Sequence, residues 1–234
     1  MDAARKDRQN KKKKARSTKT LARHFLSVMG ITNQYMMHEM PSIQFKPLIL
    51  TIVDSLDRAL FFVLNQWHHF TIDLFFILVT SAFFWIPLYV LLIWLIKKEL
   101  GWNGVICFIL TIIIADQCSA TWLKPFFARY RPCCILPTIE IHLVGTYKGL
   151  YGFPSSHASN TYAFAMLFWR IFKEKYKFSY LFFIWATIVS YGRIYGGVHY
   201  PLDVFAGALL GCCIGQLMHV VYRKACKSID TKTK

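Results

Sequence analysis

Residues 74–96 form an uninterrupted apolar run of 23 residues without one charged side chain. As an α-helix that rises about 1.5 Å per residue, this run is long enough to cross a hydrocarbon core of about 30 Å. Backbone polar groups inside a bilayer have to be hydrogen bonded within the segment, which favours a helix for a single crossing. The run therefore predicts a transmembrane helix in an integral membrane protein.

Four further apolar runs follow the first. Residues 104–123, with Asp116 as the only charge, and residues 204–222 approach the length of a span, whereas residues 156–172 and 178–192 are shorter. The hydrophobic content of 55% is too high for an ordinary soluble domain of this size. Together these features predict an all-α fold, a polytopic transmembrane helix bundle with five clear spans, and they leave a sixth open.

Two of the segments carry a more specific pattern. Residues 204–222 contain Gly207, Gly211 and Gly215 at four-residue spacing. Such a stripe of small residues allows a neighbouring helix to approach closely. Residues 56–67, LDRALFFVLNQW, resemble an interfacial amphipathic helix placed before the first span.

Basic residues are concentrated at the N-terminus. Residues 1–23 contain ten Lys or Arg and two Asp, a net charge of +8 out of the total of +16. A basic tail on anionic headgroups is favoured over a nucleic-acid arm, because no folded reader domain accompanies it. We expect a disordered basic tail at residues 1–40, a membrane domain at residues 41–225 and a polar tail at residues 226–234. The side of the membrane on which the N-terminal tail lies is left open.

The remaining basic residues occupy alternate ends of the apolar runs. They are Lys97 and Lys98, then Lys173, Lys175 and Lys177, and then Arg223, Lys224 and Lys227. Because short basic loops stay in the cytoplasm, these ends are expected on the cytoplasmic side. The loop from about residue 124 to residue 155 and the segment from 193 to 201 then face the opposite side, and so does any site built from them.

Three short segments of these outer regions hold clustered polar residues. The first is KPFFARYRP, with Lys124 and Arg131; the second is PSSH, with Ser155, Ser156 and His157; the third is GRIYGGVHYPLD, with Arg193, His199 and Asp203. In this order and spacing, they resemble the signature motifs of the type 2 phosphatidic acid phosphatase superfamily. Two positions depart from the family pattern: Ser156 stands for a glycine, and Gly192 stands for a serine.

The residue types suit phosphoryl transfer without a metal. Lys124, Arg131 and Arg193 supply three positive charges for phosphoryl oxygens. Ser155 and Ser156 open a predicted helix, whose N-terminal N–H groups favour an anion. We therefore predict these five as phosphate-binding residues, with no metal and no cofactor.

The two histidines are the candidates for catalysis. Asp203 lies four residues after His199, so its carboxylate can reach the imidazole, fix the tautomer and leave the other ring nitrogen to attack phosphorus. The resemblance implies that His199 forms a phosphohistidine, and that His157 protonates the leaving group and later activates water. Asp116 is predicted to pair with a site cation, and His142 is a weaker candidate for a substrate contact.

The resemblance implies a lipid phosphatase in a bacterial inner membrane, with its site on the periplasmic or extracellular face. Candidate substrates are undecaprenyl diphosphate, phosphatidylglycerol phosphate, phosphatidic acid and a lipid A phosphate; the small size of the chain slightly favours a prenyl diphosphate. The expected partners are this lipid and the bilayer, without nucleic acid. A phosphotransferase that uses the same site and a non-catalytic lipid-phosphate or anion transporter stay as alternatives, and the oligomeric state is open.

Overall fold

The computed structural model of the protein describes residues 48–137, 139–145, 147 and 149–232, with only the backbone for residues 227–232. Within these ranges the chain is helical and contains no β-strand, which confirms the all-α prediction. The helices are α1 (Leu48–Asn65), α2 (Phe70–Thr80), α3 (Ile86–Asp116), α4 (Lys124–Phe127), α5 (Pro132–Ile135), α6 (Ser156–Phe172), α7 (Leu181–Tyr195) and α8 (Pro201–Lys232). The expected tail at residues 1–40 lies outside the described residues.

The helix predicted at residues 74–96 is interrupted, so that prediction was wrong as a single element. Helix α2 ends at Thr80, and Ser81 is extended with ψ of 125°. A 3₁₀ turn at Ala82–Trp85 leads into α3, which has Pro87 in its first turn. Proline lacks an N–H and clashes with the preceding turn, so it is tolerated at a helix start but breaks a helix interior. The uncharged run is therefore divided by its own proline.

Helix α3 contains a turn at Gly101. This glycine has φ of 67° and ψ of −168°. Residues that carry a Cβ atom rarely adopt this backbone conformation, which lies outside the helical region. Leu92 and Ile96 before it belong to the same core cluster as Val105 and Phe108 after it. A straight helix could not place them together, so the chain turns back at Gly101.

Two segments of the described chain are long and apolar enough to cross a membrane: Ala82–Phe127, which includes the turn, and Pro201–Cys226. Their outer faces are apolar, with Ile106, Ile113 and Phe205 each at least half exposed. Helix α6, at the predicted residues 156–172, and helix α7 are shorter. The prediction of five spans stays a prediction, and only the membrane character of the bundle is supported at this point.

The prediction of close helix packing at the glycine stripe is confirmed. A Cβ atom added at Gly207, Gly211 or Gly215 would lie 2.3–2.5 Å from a backbone carbonyl oxygen of Ser155, Ser159 or Ala163. Helices α6 and α8 therefore touch backbone to backbone. This contact fixes the relation between the second motif, at the start of α6, and the third motif, at the start of α8.

Helix α1 covers the third motif from outside. Its buried residues Asp57, Phe61 and Asn65 recur every four positions and so form one face. Asn65 Nδ2 donates to the carbonyl oxygens of Tyr195 at 2.7 Å and of His142 at 2.9 Å. The apolar half of the helix remains exposed, as expected for an element at a membrane interface.

Two of the predicted cytoplasmic ends meet. Lys175 Nζ lies 2.5 Å from Glu99 Oε2, and the Tyr176 hydroxyl donates to Glu99 Oε1 at 2.9 Å. Glu99 lies beside the Gly101 turn, and Lys175 lies in the loop between α6 and α7. The basic loops are thus neighbours, at the ends of α6 and α7 opposite to His157 and Arg193.

Candidate active site

A π-helical segment, Gln117–Leu123, leads directly into Lys124. Such widened turns often occur at functional sites because they change the direction in which the following side chains point. Lys124 Nζ donates to Ser156 Oγ at 2.8 Å, and Ser119 Oγ donates to the same oxygen at 3.0 Å. The serine that departs from the family motif thus holds the site lysine.

Arg131 is the most deeply placed cation, with 5% of its surface exposed. Its Nε donates to the carbonyl oxygen of Gly149 at 3.1 Å, and its Nη1 donates to that of Val198 at 3.2 Å. The same Nη1 lies 2.8 Å from His199 Nε2. The backbone of two loops therefore fixes the guanidinium against the imidazole.

His199 and Asp203 form the predicted pair. His199 is 1% exposed and Asp203 is fully buried; Nδ1 lies 3.5 Å from Oδ2. The Tyr200 N–H donates to the same Oδ2 at 3.0 Å. Burial, followed by the charges of Arg131, Arg193 and Lys124, holds the pKa of His199 well below its usual value of 6.5. The imidazole is therefore neutral at physiological pH, as a nitrogen nucleophile has to be.

Gly152 makes room for this pair. A Cβ atom at residue 152 would lie 2.8 Å from Asp203 Oδ2 and 3.4 Å from His199 Nδ1. The Gly152 N–H donates to the carbonyl oxygen of Arg129 at 2.8 Å, which ties the segment before the second motif to the first motif. Any larger residue would push the carboxylate away from the imidazole.

Among the polar atoms around the site that are buried without a hydrogen-bond partner in the described residues, Arg193 Nε and Ser155 Oγ lie outside the His199–Asp203 loop, whereas His199 Nδ1 and the Tyr200 hydroxyl belong to it. Buried polar groups are nearly always paired, so an orphan needs a reason. Ser155 is the residue before α6, and its N–H donates to the carbonyl oxygen of Asp203 at 2.8 Å. Arg193 Nε and Ser155 Oγ both fit a phosphate oxygen that would complete their hydrogen bonds.

His157 lies in the first turn of α6 and is exposed to the interior of a cleft, without a hydrogen-bond partner given by the structure. Arg193, His199, Lys124 and Arg131 all lie within electrostatic range of it. The structure thus brings together both histidines and all three predicted cations at one end of the bundle. Such a set can bind a phosphoryl group between a nucleophile and an acid.

An apolar cleft of about 600 Å³ begins at Ser156 and His157. It runs between α2, α3, α6 and α7, and its walls include Trp85, Ile109 and Phe164. Asp116 and Asn160 also line it, and Asn160 Nδ2 donates to Asp116 Oδ1 at 3.1 Å. The hydrogen bond that the structure gives the Asp116 side chain is thus with an amide of α6, and its negative charge also acts on the site cation Lys124, as the predicted pairing requires.

Sequence reasoning missed Arg129, Asp54 and Asp57. Arg129 Nη1 donates to Asp203 Oδ1 at 2.7 Å, and Nη2 contacts Asp57 Oδ2 at 2.6 Å and Asp54 Oδ1 at 3.1 Å. Arg129 is one of the unspecified positions within the first motif, and the two acidic residues lie before all three motifs. Asp54 and Asp57 are three residues apart on a helix whose other face is apolar. This acidic pair was the sequence signal that could have identified them.

Two other positions have structural partners. His142 Nε2 lies 2.7 Å from Asp73 Oδ1, and its ring stacks on His68 with centroids 4.1 Å apart. These contacts hold the His142 ring in place, and its role as a substrate contact stays a prediction. At Gly192, a Cβ atom would lie 2.7 Å from Thr80 Cγ2 and 2.8 Å from Phe76 Cδ1. The second departure from the family motif therefore permits close packing of α7 against α2.

Comparison with known proteins identifies the family of the chain. Residues 104–227 match the PAP2 superfamily. A lipid A 4'-phosphatase of Bacteroides thetaiotaomicron is 30% identical over 79% of this chain and 85% of its own length. A lipid A 4'-phosphatase of Porphyromonas gingivalis is 33% identical over 72% of this chain and 73% of its own length.

Solved structures agree as well. The crystal structure of Aquifex aeolicus LpxE is 29% identical and superposes with a TM-score of 0.54 over 70% of this chain and 94% of that one. The transmembrane PAP2 type phosphatidylglycerolphosphate phosphatase of Bacillus subtilis is 21% identical and shares the fold. Its crystal structure superposes with a TM-score of 0.58 over 78% of this chain and 88% of that one. The chain therefore belongs to the PAP2 superfamily, as a phosphoric ester hydrolase with the all-helical fold of its membrane phosphatases.

Proposed function

We propose that this protein removes a phosphate group from a membrane lipid through a phosphohistidine on His199. One observation carries the proposal: the cations and His199 lie at one end of an apolar cleft of about 600 Å³, and His157 lies at the boundary between the two. A phosphate headgroup fits the charged end, and hydrocarbon chains fit the cleft. The membrane phosphatase domain would extend over residues 41–225.

The mechanism follows from the two imidazoles. His199 Nε2 attacks phosphorus while the bond to the lipid oxygen breaks, and His157 gives a proton to that oxygen. Burial and the surrounding cations disfavour the protonated form of His157 before the substrate binds, and the negative charge of the bound phosphate favours it. Lys124, Arg131 and Arg193 stabilise the charge that develops on the phosphoryl oxygens. Neutral His157 then takes a proton from water, and the resulting hydroxide cleaves the phosphorus–nitrogen bond. Inorganic phosphate leaves, and both histidines return to their starting states.

A glycolipid phosphate monoester of the lipid A type is the substrate class that we favour. The two relatives described above carry that activity in their names. In the cleft, Asn160 lies about one helical turn after His157 and is hydrogen bonded to Asp116, and Thr161 adds a hydroxyl. These groups suit an amide or hydroxyl of an acylated sugar, whereas a polyprenyl chain has no such group. Undecaprenyl diphosphate, phosphatidylglycerol phosphate and phosphatidic acid remain as competing substrates to be tested.

The site is proposed to face the periplasm or the outside of a bacterial inner membrane. The contact of Glu99 with Lys175 supports this orientation, since it gathers two basic loops at the opposite end of the bundle. Basic loops of this kind stay in the cytoplasm. A phosphate released at the other end would leave on the non-cytoplasmic side.

The test is release of inorganic phosphate from a panel of purified lipid phosphates by the detergent-solubilised protein. The panel compares a lipid A-type monoester with phosphatidic acid, phosphatidylglycerol phosphate and undecaprenyl diphosphate, and His199→Ala serves as the inactive control. We expect the glycolipid to have the highest kcat/KM. We also expect Asp116→Asn to raise KM for the glycolipid more than for phosphatidic acid.

Other outcomes contradict the proposal at defined points. Phosphate release only after a second lipid is added would indicate a phosphotransferase. Binding of lipid phosphates without any release, equal in His199→Ala and the unaltered protein, would indicate a carrier or transporter. A preference for undecaprenyl diphosphate that Asp116→Asn leaves unchanged would overturn the substrate class but keep the reaction.

A further inference from the structure

Arg129 contacts three carboxylates from two separate parts of the chain. Its Nη1 donates to Asp203 Oδ1 at 2.7 Å, and its Nη2 donates to Asp57 Oδ2 at 2.6 Å and to Asp54 Oδ1 at 3.1 Å. The guanidinium also lies 4.5 Å from the centre of the Tyr200 ring, in a cation–π position. Only 19% of the Arg129 side chain is exposed. Three carboxylates and one aromatic ring therefore fix the position of the guanidinium.

Both oxygens of Asp203 are held by groups other than His199. Arg129 binds Oδ1, and the Tyr200 N–H binds Oδ2. The carboxylate plane is set by these two donors, and it leaves Oδ2 facing His199 Nδ1 at 3.5 Å. Since Tyr200 belongs to the same loop as His199, Arg129 is the donor that fixes Asp203 from outside the third motif.

Asp57 links this arginine to the start of α8. Its Oδ2 accepts from Arg129, and its Oδ1 accepts from the Leu202 N–H at 2.8 Å. Leu202 lies in the first turn of α8, one residue before Asp203. Helix α1 therefore binds the backbone next to Asp203 as well as the arginine. This helix precedes residues 104–227, the part of the chain that matches the family.

Charge gives the arrangement a second effect. Asp57 and Asp203 are buried carboxylates that would repel each other without the guanidinium between them. Burial alone would lower the pKa of Arg129, but the negative charges of Asp203 and Asp57 outweigh it and raise this pKa above its usual value. Arg129 is thus permanently cationic, and it neutralises the repulsion that would otherwise favour protonation of Asp203.

We infer that Arg129 and Asp57 are positioning residues, which keep Asp203 ionised and aimed at His199, and that α1 thereby completes the active site. The inference rests on the proposed phosphohistidine reaction. Neither residue touches the substrate in this assignment. Both act through Asp203, whose task is to stabilise the imidazolium character that His199 gains in the transition state.

The chain contains a matched control for the loss of positive charge. Arg58 Nε donates to Asp54 Oδ2 at 3.1 Å and lies over the outer part of Tyr200, at 6.0 Å from the ring centre. It belongs to the same charged cluster, but the structure gives it no contact with Asp203. Arg58→Ala therefore removes one cation from the cluster while the Arg129 contacts remain.

The experiment measures kcat, KM and the pH dependence of kcat for Arg129→Ala, Arg129→Lys, Asp57→Asn and Arg58→Ala, in detergent and on one lipid phosphate. Equal amounts of folded protein are used. We expect Arg129→Ala to lower kcat by about 100-fold at constant KM, the scale of a small misplacement of a catalytic group. The acid limb of the kcat–pH profile of Arg129→Ala should move to higher pH, because Asp203 then has to ionise beside Asp57 without the charge of Arg129. Arg58→Ala should keep the kcat and the pH profile of the unaltered protein.

The double variant Arg129→Ala with Asp57→Asn separates positioning from folding. Because it removes the repelling carboxylate, it should return the acid limb toward that of the unaltered protein, whereas a purely structural role predicts a further loss. The charged and titratable groups that face Asp203 in this test are Asp57, Lys124, Arg129, Arg131, His199 and Tyr200, whereas Asp54 and Arg58 lie one contact further away.

Three outcomes would overturn the inference: an unchanged kcat and profile in Arg129→Ala, an acid limb that Asp57→Asn does not restore, and an equal effect of Arg58→Ala. If Arg129→Ala does not fold, Arg129→Lys and Asp57→Asn carry the same test, and an unchanged kcat and pH profile in both would also overturn it. Absence of phosphate release from the unaltered protein would instead contradict the proposed function.

Discussion

Arg131 Nη1 lies 2.8 Å from His199 Nε2. A guanidinium only donates hydrogen bonds, so Nε2 has to accept, and the ring proton is then on Nδ1, which faces Asp203. The site at rest therefore holds the tautomer in which Nε2 carries the lone pair. A phosphoryl group that enters has to come between this nitrogen and the arginine, which turns the same donor toward a phosphoryl oxygen.

The low pKa of His199 gives the protein a measurable loss of stability in acid. Unfolded His199 takes up a proton near pH 6.5, but the folded form does so only at lower pH, so the free energy of unfolding falls as the pH drops below 6.5. This group should contribute a loss on the order of 1 kcal/mol for each pH unit below about 6.5, until the folded form also takes up its proton. Thermal unfolding in detergent at neutral and acidic pH should show a smaller pH dependence for His199→Gln. Equal pH dependence in both proteins would contradict the assignment.

Replacement of His157 should lower the activity most for substrates with a poor leaving group. For a lipid phosphate, the departing alkoxide needs a proton, and loss of a general acid costs about 10²–10⁴ in rate. We expect His157→Ala to lose activity on this scale with the lipid but to keep much more of it with p-nitrophenyl phosphate, whose leaving group departs without a proton. His199→Ala should be inactive with both substrates. An equal loss on both substrates in His157→Ala would contradict its role as the acid.

Removal of metal ions should leave the activity intact. Three cationic side chains surround the two histidines, and in the proposed reaction they supply the charge that a divalent ion supplies in other phosphatases. Phosphate release should therefore be the same with and without an excess of chelator. Loss of activity that Mg²⁺ restores would count against the mechanism.

Replacement of a stripe glycine should separate the two histidine motifs. A Cβ atom at Gly211 would lie 2.3 Å from the carbonyl oxygen of Ser159, so Gly211→Ala forces α6 and α8 apart. We expect a loss of about 1–3 kcal/mol in stability, which is typical of overpacking, together with a lower kcat. Thermal unfolding and turnover are the measurements. Leu209→Ala, on the exposed side of the same helix, is the control and should change stability by less than about 0.5 kcal/mol.

The part of the fold that sequence could predict is the part set by local pattern. The helix at residues 156–172 was predicted with its observed ends, because a serine opens it and a basic loop closes it. The glycine stripe predicted the contact between α6 and α8 because its spacing puts three small residues on one face. The break at Ser81 was missed, since hydropathy alone gives no weight to Pro87.

The candidate site divides in the same way. The spacing of the motifs predicted which residues would meet, because each motif lies beside a helix end on the same side. The partners of Asp203 and Asp116 could not be predicted, since they depend on which helix faces lie opposite each other. Arg129 and Asp57 are 72 residues apart in the chain, and no local pattern connects them. The assigned catalytic and phosphate-binding roles stay predictions until the variants are measured.

The main-chain contact between α6 and α8 also affects which residues of the chain can diverge during evolution. The contact is made by glycines and carbonyl oxygens, and no apolar side chain of the cleft takes part in it. We therefore expect residues such as Trp85 and Ile109 to be exchangeable for others with little movement of the two histidine motifs. A scaffold of this kind can acquire a new hydrocarbon preference while its chemistry is inherited unaltered.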